Sequence, residues 1–455
     1  MSPARRAAFR ILRRVEEESA YASPLLGALD DTNLSREDRA LAQELTLGVL
    51  RWRKSLDHFI ERYSGRTLAR FDPPVLIAIR MGLYQIRYLS RIPESAAVNE
   101  SVNLVKQAGL KSACGLVNAV LRRAAANKMD VAGSGISDPM ERAAVEFSHP
   151  RWLLERWSAT LGADQAIVLA ASNNQRPQNA FRVNSLRLET AADRDPSLGR
   201  IGVNEVLTQL ASQGITVRRS EIVPEGFVAS GAALAVSRPA KENLIYLQDE
   251  ASQLVSVLAE ALPGQRILDL CAAPGSKTTH LADLTCNQAK IVAGDIHFHR
   301  LRTLVSTCGR FGADAVACVA LDASSALPFG SSGPDFDRVL VDAPCSGTGT
   351  LRQNPEIKWR LGPEDIERLA RLQSTLLANA SEVVATGGRL VYSTCSLEPE
   401  EGEQVIHGFL KTGAPFRLIK PPLLRSDLVT PEGFVRTYPH LHGSDGFFVA
   451  VLEKL

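Results

Sequence analysis

The stretch PGQRILDLCAAPGSKTTHLAD, residues 263–283, decides the fold of the C-terminal half of the chain. It joins a short apolar strand to a turn of small residues and then to a helix. Similar strands recur between helical segments up to the end of the chain, which predicts an α/β fold with a Rossmann-like, doubly wound parallel sheet. Such sheets bind ligands at the carboxyl ends of their strands. The six predicted strands are RILDL, KIVAGDI, AVACVALD, FDRVLVDA, RLVYSTC and GFFVAVLEK.

Acidic and thiol side chains stand at the ends of these strands. A single Asp after a strand is as often a turn residue or a helix cap. Several in succession along one edge of a sheet predict a ligand site instead. The residues at this edge are Asp269, Asp295, Asp322, Asp342 and Cys395, with Cys345 just beyond Asp342.

The turn after the first of these strands, CAAPGSKTTHLADL, opens a helix. Its small residues let a ligand approach the main chain, and the helix N-terminus favours an anionic group. A triphosphate-binding loop is not indicated, because Cys271 and Ser276 stand where that pattern needs glycines. Asp295, 26 residues after Asp269, is placed to bind the ribose of an adenosine-type cofactor. Since no GxGxxG is present, an adenosine ligand carrying a carboxylate suits this loop better than a dinucleotide.

The chain has seven cysteines and no CxxC pair, which argues against a disulfide framework and a structural zinc site. We expect no metal, because the two close histidine pairs, 297/299 and 440/442, have no nearby Cys. Cys345 and Cys395 lie where strands meet loops, and free amides or a helix start there can activate a thiol. Four of the other five cysteines lie in helical or strand runs and are predicted to be core thiols: Cys114, Cys286, Cys308 and Cys318.

The chain is long enough for two or three domains, and its 45% hydrophobic and 22% charged residues indicate an ordinary globular protein. Helical spacing of apolar residues runs from about residue 5 to 123 and predicts an all-α domain over 1–127. A Gly-, Ser- and Pro-rich linker follows at 128–142. A small α+β module is predicted over 143–245, and the sheet domain over 246–455.

The net charge of +2 hides an asymmetry between the ends of the chain. Residues 1–125 hold 20 Lys and Arg against 13 Asp and Glu, so the remainder carries an excess of five negative charges. A basic N-terminal part suits a phosphate backbone, although a solvated helical face explains such charge equally well. The candidate phosphate contacts are Arg5, Arg6, Arg10, Arg13, Arg14, Arg51 and Arg53. Lys358 and Arg360 are further candidates for RNA contact, and Trp359 between them suits either RNA binding or packing.

The start of the chain lacks the apolar core of a signal peptide, and no apolar run approaches membrane-spanning length. We therefore expect a cytoplasmic protein. Nothing in the sequence indicates oligomerisation, so a monomer is the default expectation.

Four motifs resemble those of the RNA cytosine-C5 methyltransferases of the NOL1/NOP2/Sun (Fmu) group: LDLCAAPGSKTTHLA, GDI, VDAPCSGTGTLRQNP and YSTCSLEPEE. The helical N-terminal part resembles a NusB-like RNA-binding domain, which favours the bacterial members that act on 16S rRNA. The middle segment, with SHPRWLLERW and FRVNSLR, also fits that group and implies a small RNA-binding module. The resemblance covers nearly the whole chain.

The resemblance implies a reaction through a covalent intermediate. Cys395, in the TC motif, is the nucleophile that adds to C6 of cytosine and makes C5 reactive towards the methyl group of S-adenosyl-L-methionine. Cys345, in the PC motif, assists product release by helping to remove the C5 proton or to break the adduct. Asp342 contacts N3 of the base, where a carboxyl group can share a proton.

The resemblance also implies the cofactor site. It places Asp295 on the ribose, Asp322 near the adenine and Asp342 beside the methyl group. Family members commonly have a second Gly where this chain has Ser276, and Lys277 is able to pair with the cofactor carboxylate or to reach a substrate phosphate. The residues implied around the methionine part are Cys271, Ala272, Ala273, Pro274, Gly275, Ser276 and Lys277.

The implied substrate is a cytosine in a loop or single strand of 16S ribosomal RNA, because a base must leave any stack to reach a thiol and a methyl donor. Three alternatives stay open. A DNA cytosine-C5 methyltransferase uses the PC cysteine as nucleophile and lacks the TC partner, which Cys395 argues against. The same chemistry on tRNA or another rRNA position is opposed only by the helical domain. An RNA-binding assembly factor without activity is opposed by the intact cysteines and aspartates.

Overall fold

A computed structural model describes residues 2–29, 34–188, 196–230, 234–329, 335–422 and 425–455. Its α-helices are α1 (Pro3–Glu17), α2 (Ala22–Gly27), α3 (Arg36–Arg51), α4 (Arg53–Ser64), α5 (Pro73–Tyr88), α6 (Glu94–Gln107), α7 (Cys114–Ala126), α8 (Pro139–Glu146), α9 (Arg151–Leu161), α10 (Ala163–Asn173), α11 (Ser185–Leu188), α12 (Pro196–Ser212), α13 (Arg238–Lys241), α14 (Glu250–Leu258), α15 (Ser276–Leu284), α16 (Phe298–Phe311), α17 (Ile357–Arg360), α18 (Pro363–Glu382), α19 (Glu403–Lys411) and α20 (Pro439–His442).

The strands are β1 (Asn179–Val183), β2 (Thr216–Arg219), β3 (Gly226–Ser230), β4 (Ile245–Leu247), β5 (Arg266–Leu270), β6 (Lys290–Asp295), β7 (Val316–Ala320), β8 (Phe336–Asp342), β9 (Val384–Thr394), β10 (Phe416–Ile419), β11 (Val435–Thr437) and β12 (Phe447–Lys454). Short 3-10 helices span Leu68–Arg70, Lys111–Ala113, Leu234–Val236, Thr348–Thr350, Pro399–Glu401 and Ser426–Leu428. The chain divides into two compact units. The first unit comprises 1–176 and 351–361, and the second comprises 177–350 and 362–455.

The first unit is helical throughout its described residues, as the apolar spacing predicts. Helix starts follow local signals: the Ser35 side chain caps α3, Asp138 caps α8, and prolines open α1 and α5. Buried apolar side chains from α1 to α7 form one core. The segment 351–361 packs into this unit, although in the chain it follows the 343–350 loop, which belongs to the second unit.

The second unit contains two sheets. The smaller has the strand order β2-β3-β1-β4, and its three pairings are antiparallel. With α12 between β1 and β2, and α13 between β3 and β4, its element order is βαββαβ. This arrangement agrees with the predicted α+β module.

The larger sheet has the order β10-β12-β9-β8-β5-β6-β7, with β11 beside β12. Strands β5 to β9 are parallel and match five of the six predicted strands. The prediction that the last one is also parallel was wrong, because β12 runs antiparallel to β9 and lies between β9 and β10. From β5 the chain adds β6 and β7 on one side of the sheet and then β8 and β9 on the other. The order therefore reverses between β5 and β8, and the carboxyl ends of these two strands form the crevice in which such sheets bind ligands.

Alternate residues of the larger sheet face two separate cores, as the two-residue period of a strand requires. Ile267, Ile291 and Leu340 pack with residues of α14, α15 and α16 on one face. Leu268 and Val339 pack with residues of α18 and α19 on the other. Because described helices cover both faces of this sheet, we expect a ligand to bind at its strand ends and the loops that follow them.

Candidate active site

The loop between β5 and α15 has a conformation that its glycine makes possible. Cys271 and Gly275 have positive φ angles of 61° and 105°. A Cβ atom at Gly275 would lie 2.9 Å from Leu304 Cδ1, so the position has neither the conformation nor the space for a side chain. Ser276 is the first residue of α15, where an ordinary helical residue fits and a second glycine is not required.

Asp295 ends β6, next to β5, and is almost completely buried. Its Oδ1 accepts a hydrogen bond from the main-chain nitrogen of His297 at 2.9 Å. Its Oδ2 accepts none, although Arg300 Nη1 forms an ion pair with it at 3.5 Å. A buried acceptor without a donor is uncommon in a folded protein, and a ligand hydroxyl group would satisfy it.

Asp322 lies two residues beyond β7 and is exposed. Its carboxylate accepts hydrogen bonds from the Ser324 main chain and hydroxyl group, and these bonds lower the pKa of Asp322. Asp269 differs from the prediction, because it lies inside β5 and not at its end. It is fully buried and accepts a 2.6 Å hydrogen bond from Thr278 Oγ1, and burial raises its pKa to about 7. It therefore supports the loop and does not line the edge.

Asp342 ends β8 and is paired with a lysine. Lys277 Nζ lies 2.6 Å from Asp342 Oδ2, and Ser393 Oγ donates to Oδ1 at 2.8 Å. Lys277 also lies over the Phe447 ring, 5.4 Å from its centroid. Burial lowers the pKa of Lys277, but the charge of Asp342 and its hydrogen bond outweigh this, so the net pKa is raised. The partner of Lys277 is thus Asp342, which sequence reasoning did not consider.

The two candidate cysteines lie together. The parallel register of β8 and β9 pairs Asp342 with Ser393, so the residues that follow each strand leave the sheet side by side. The Gly349 main-chain nitrogen donates to the Cys395 carbonyl oxygen at 3.0 Å and joins the two loops. Cys345 Sγ lies 3.2 Å from Cys395 Sγ. This hydrogen bond to Cys395, together with burial, raises the pKa of Cys345.

Two side chains near this centre were missed at the level of sequence. Ser393 holds Asp342 from the neighbouring strand, and only the β8–β9 register reveals it. Glu401 ends the YSTCSLEPEE motif and was given no role, yet its carboxylate accepts hydrogen bonds from Ser346 and Ser396. Its place six residues after the TC cysteine, within that motif, was the available signal.

The prediction for the other cysteines was wrong at one position. Cys308 is buried, whereas Cys114 and Cys318 are partly buried. Cys286 is exposed, because it lies just beyond the end of α15 with a φ of 49°. The helical run that suggested a core position ends two residues earlier.

The predicted phosphate contacts divide into three groups. Arg5 and Arg51 are buried, with Arg5 donating to Gln85 and Arg51 to the carbonyl oxygen of Arg352, so their prediction as RNA contacts was wrong. Arg6 and Arg10 are exposed on α1. The remaining three are paired with acidic side chains: Arg13 with Glu17, Arg14 with Glu18, and Arg53 with Glu16.

The segment around Trp359 packs inside the first unit. Lys358 is 1% exposed and donates to the carbonyl oxygen of Arg51 at 2.9 Å. Trp359 Nε1 donates to Leu50 O at 2.6 Å, and Arg360 donates to the carbonyl oxygen of Ala20. The packing interpretation of Trp359 is therefore supported, and the RNA-contact prediction for buried Lys358 was wrong. Arg360 is partly exposed, so its RNA contact stays a prediction.

Within the described ranges, no three His, Cys, Asp or Glu side chains lie close enough to hold a metal ion. No helix in that part of the chain is long and apolar enough to cross a membrane.

Three family models match the chain. The model of the 16S rRNA methyltransferases RsmB/F matches residues 256–453, and the NusB family model matches residues 2–126. The model of the ferredoxin-like domain of RsmF/B-like methyltransferases matches residues 149–193.

Similar proteins span the full length of the chain. A probable ribosomal RNA small subunit methyltransferase B from Bacillus subtilis is 32% identical over 98% of this chain and 98% of its own length. Its counterpart from Synechocystis is 36% identical over 100% of both chains. The crystal structure of PH0851 superposes with a TM-score of 0.81 at 30% identity, covering 99% of this chain and 98% of its own. The chain belongs to the RsmB/F family of 16S rRNA methyltransferases.

Proposed function

We propose that this rRNA methyltransferase transfers a methyl group to C5 of a cytosine in 16S rRNA, through a covalent bond between Cys395 and C6 of the base. The observation that carries the proposal is the placement of Cys345 Sγ 3.2 Å from Cys395 Sγ, on loops that follow the strand ends holding Asp342 and Ser393. C5 and C6 are adjacent ring atoms. Two thiols in contact can therefore act on both at once.

The two thiols have different tasks. The Cys395 thiolate adds to C6, and the electron pair of the broken C5–C6 double bond makes C5 a nucleophile. After methylation the C5 proton must leave, and its electron pair reforms the double bond and expels the Cys395 thiolate. Cys345 assists in this release, either by taking the C5 proton or by helping to break the adduct. The motif context supports the division, because Cys395 lies in the TC motif and Cys345 in the PC motif of the family that the chain resembles.

Asp342 orients the base. Each of its carboxylate oxygens accepts one hydrogen bond in the structure, from Lys277 and Ser393, and each has a lone pair left. Asp342 can therefore accept a further bond from a protonated cytosine N3. Protonation at N3 withdraws electrons from the ring and favours attack at C6. Lys277 and Ser393 hold the carboxylate in place.

The residues at the crevice fit S-adenosyl-L-methionine. Asp295 Oδ2 accepts no hydrogen bond in the structure and suits a ribose hydroxyl group. The positive φ of Gly275 sets the turn that leads into α15. The free amides at the start of α15 suit a carboxylate, whereas exposed Asp322 lies beyond the next strand, on the adenine side. When bound, this cofactor supplies an electrophilic methyl group on a sulfonium. The residues proposed to hold it are Cys271 to Lys277, Asp295, Asp322 and Asp342.

The test is methylation of unmodified 16S rRNA transcript with radiolabelled S-adenosyl-L-methionine, followed by nuclease digestion and mass spectrometry of the nucleosides. We expect label in 5-methylcytidine at one position. Matched controls are a 23S rRNA transcript and a tRNA transcript. Labelling of tRNA alone would move the substrate to the alternative class, and binding of 16S rRNA without any methylation would support an assembly factor instead.

A further inference from the structure

A buried carboxylate lies between the loops that carry the two cysteines. Glu401, in the 3-10 helix Pro399–Glu401, has no exposed surface. Its Oε1 accepts hydrogen bonds from the Ser346 main-chain nitrogen at 2.8 Å and from Gln373 Nε2 at 2.9 Å. Its Oε2 accepts from Ser396 Oγ at 2.5 Å and from the Ser346 hydroxyl group. Four donors thus converge on one side chain.

These donors have a particular place in the sequence. Ser346 directly follows Cys345, and Ser396 directly follows Cys395. Their hydroxyl groups lie 3.1 Å apart and share Oε2 of Glu401. A single carboxylate therefore binds each cysteine loop at the residue next to the thiol.

Glu401 is itself fixed from the sheet. Tyr392 Oη, on β9, donates to the Glu401 carbonyl oxygen at 2.8 Å, and Gln373 on α18 holds Oε1. Burial raises the pKa of Glu401, whereas the hydrogen bonds from Ser346, Ser396 and Gln373 act in the opposite direction. A buried polar group of this kind is retained only where its hydrogen bonds are made.

We propose that Glu401 is a positioning residue that keeps the Cys345 and Cys395 thiols in contact by binding Ser346 and Ser396. The consequence for methylation rests on the proposed function, since attack and release then need both sulfur atoms beside adjacent ring carbons. The effect on thiol separation does not depend on it.

The first test measures thiol proximity without RNA. Diamide takes two electrons and two protons from a pair of neighbouring thiols, joins the sulfur atoms as a disulfide and becomes a hydrazine. The linked Cys345–Cys395 peptides are quantified by mass spectrometry against time for wild type, Glu401→Ala and Glu401→Gln. We expect cross-linking to be at least tenfold slower in Glu401→Ala and within about threefold of wild type in Glu401→Gln, which keeps the shape and can still hydrogen-bond. Glu367→Ala, on α18 with a 73% exposed side chain, is the matched control and should leave the rate unchanged.

The second test measures single-turnover methylation of 16S rRNA and the dissociation constant of S-adenosyl-L-methionine. We expect the methylation rate of Glu401→Ala to fall at least tenfold, with partial recovery in Glu401→Gln and a cofactor dissociation constant within twofold of wild type. If Glu401→Ala does not fold, the double variant Ser346→Ala, Ser396→Ala removes the two hydroxyl contacts and should slow cross-linking as well.

The outcomes are distinguishable. Slower cross-linking together with slower methylation supports the proposal. If Glu401→Ala slows cross-linking but the wild-type protein methylates no RNA, the positioning role is supported and the proposed function is overturned. Unchanged cross-linking in folded Glu401→Ala, or in the serine double variant, overturns the positioning role.

Discussion

Replacing Lys277 with methionine removes the cation that holds Asp342 while keeping the length of the side chain. The ammonium lies 2.6 Å from Asp342 Oδ2, and the two side chains are 9% and 29% exposed. Two unit charges at that distance attract by about 6 kcal/mol at an effective dielectric constant of about 20. Breaking a fully buried pair costs about 3–5 kcal/mol.

Asp342 is partly exposed, so water replaces part of the lost interaction, and we expect the activation free energy of methylation to rise by about 2 kcal/mol. If the carboxylate must be held in the transition state, this rise corresponds to about a 30-fold lower rate. The assay is single-turnover methylation of 16S rRNA at saturating S-adenosyl-L-methionine, with thermal unfolding measured in parallel. Lys290→Met, at the exposed start of β6, is the control and should stay within twofold of wild type. A folded Lys277→Met protein whose rate is within threefold of wild type would refute the role given to the ion pair.

Three further predictions follow from single positions. Gly275→Ala should lower the melting temperature and weaken cofactor binding at least tenfold, because φ is 105° and the added Cβ would meet Leu304. The control Gly309→Ala has open space around its Cβ and should do neither, so equal effects of the two variants in a binding titration would contradict this. Asp269 has a folded pKa of about 7, above its unfolded value, so its contribution to stability is full below about pH 4 and is lost as the pH rises towards 7. The melting temperature of Asp269→Asn relative to wild type should therefore increase over that pH range. A difference that does not change with pH would count against the raised pKa of Asp269. Lys358→Met should raise the melting temperature at pH 7 and leave RNA affinity unchanged, because burial holds the pKa of Lys358 well below its usual value. Lys111→Met, at an exposed position, is the control. A clear loss of RNA binding in Lys358→Met alone would restore the RNA-contact interpretation.

Much of the larger sheet is predictable because its strands are long, apolar and separated by helices. The short strands β10 and β11, of four and three residues, escape such reasoning since their sequences carry no alternation long enough to detect. Strand direction is not encoded in periodicity either, which is why the antiparallel course of β12 was missed. The domain boundaries stay predictions, because compact packing alone does not show where an independently folding domain ends.

At the site, the motifs identify the residues that carry chemistry and the sheet brings them together. The partners that hold them come from elsewhere in the chain. Lys277 reaches Asp342 across 65 positions, and Ser346 reaches Glu401 across 55. Arg5 and Arg51 appeared as surface charges for the same reason, since Gln85 and the carbonyl oxygen of Arg352 are distant in sequence. Polar contacts of this range depend on the complete fold.

In the proposed reaction Cys395 forms the covalent bond to the base and Cys345 helps to release it. The most direct measurement incubates wild type, Cys395→Ala and Cys345→Ala with 16S rRNA and S-adenosyl-L-methionine, and separates RNA–protein adducts on a denaturing gel. We expect turnover without a lasting adduct in wild type, neither adduct nor product in Cys395→Ala, and an accumulated adduct in Cys345→Ala. An adduct that persists in Cys395→Ala and disappears in Cys345→Ala would contradict it.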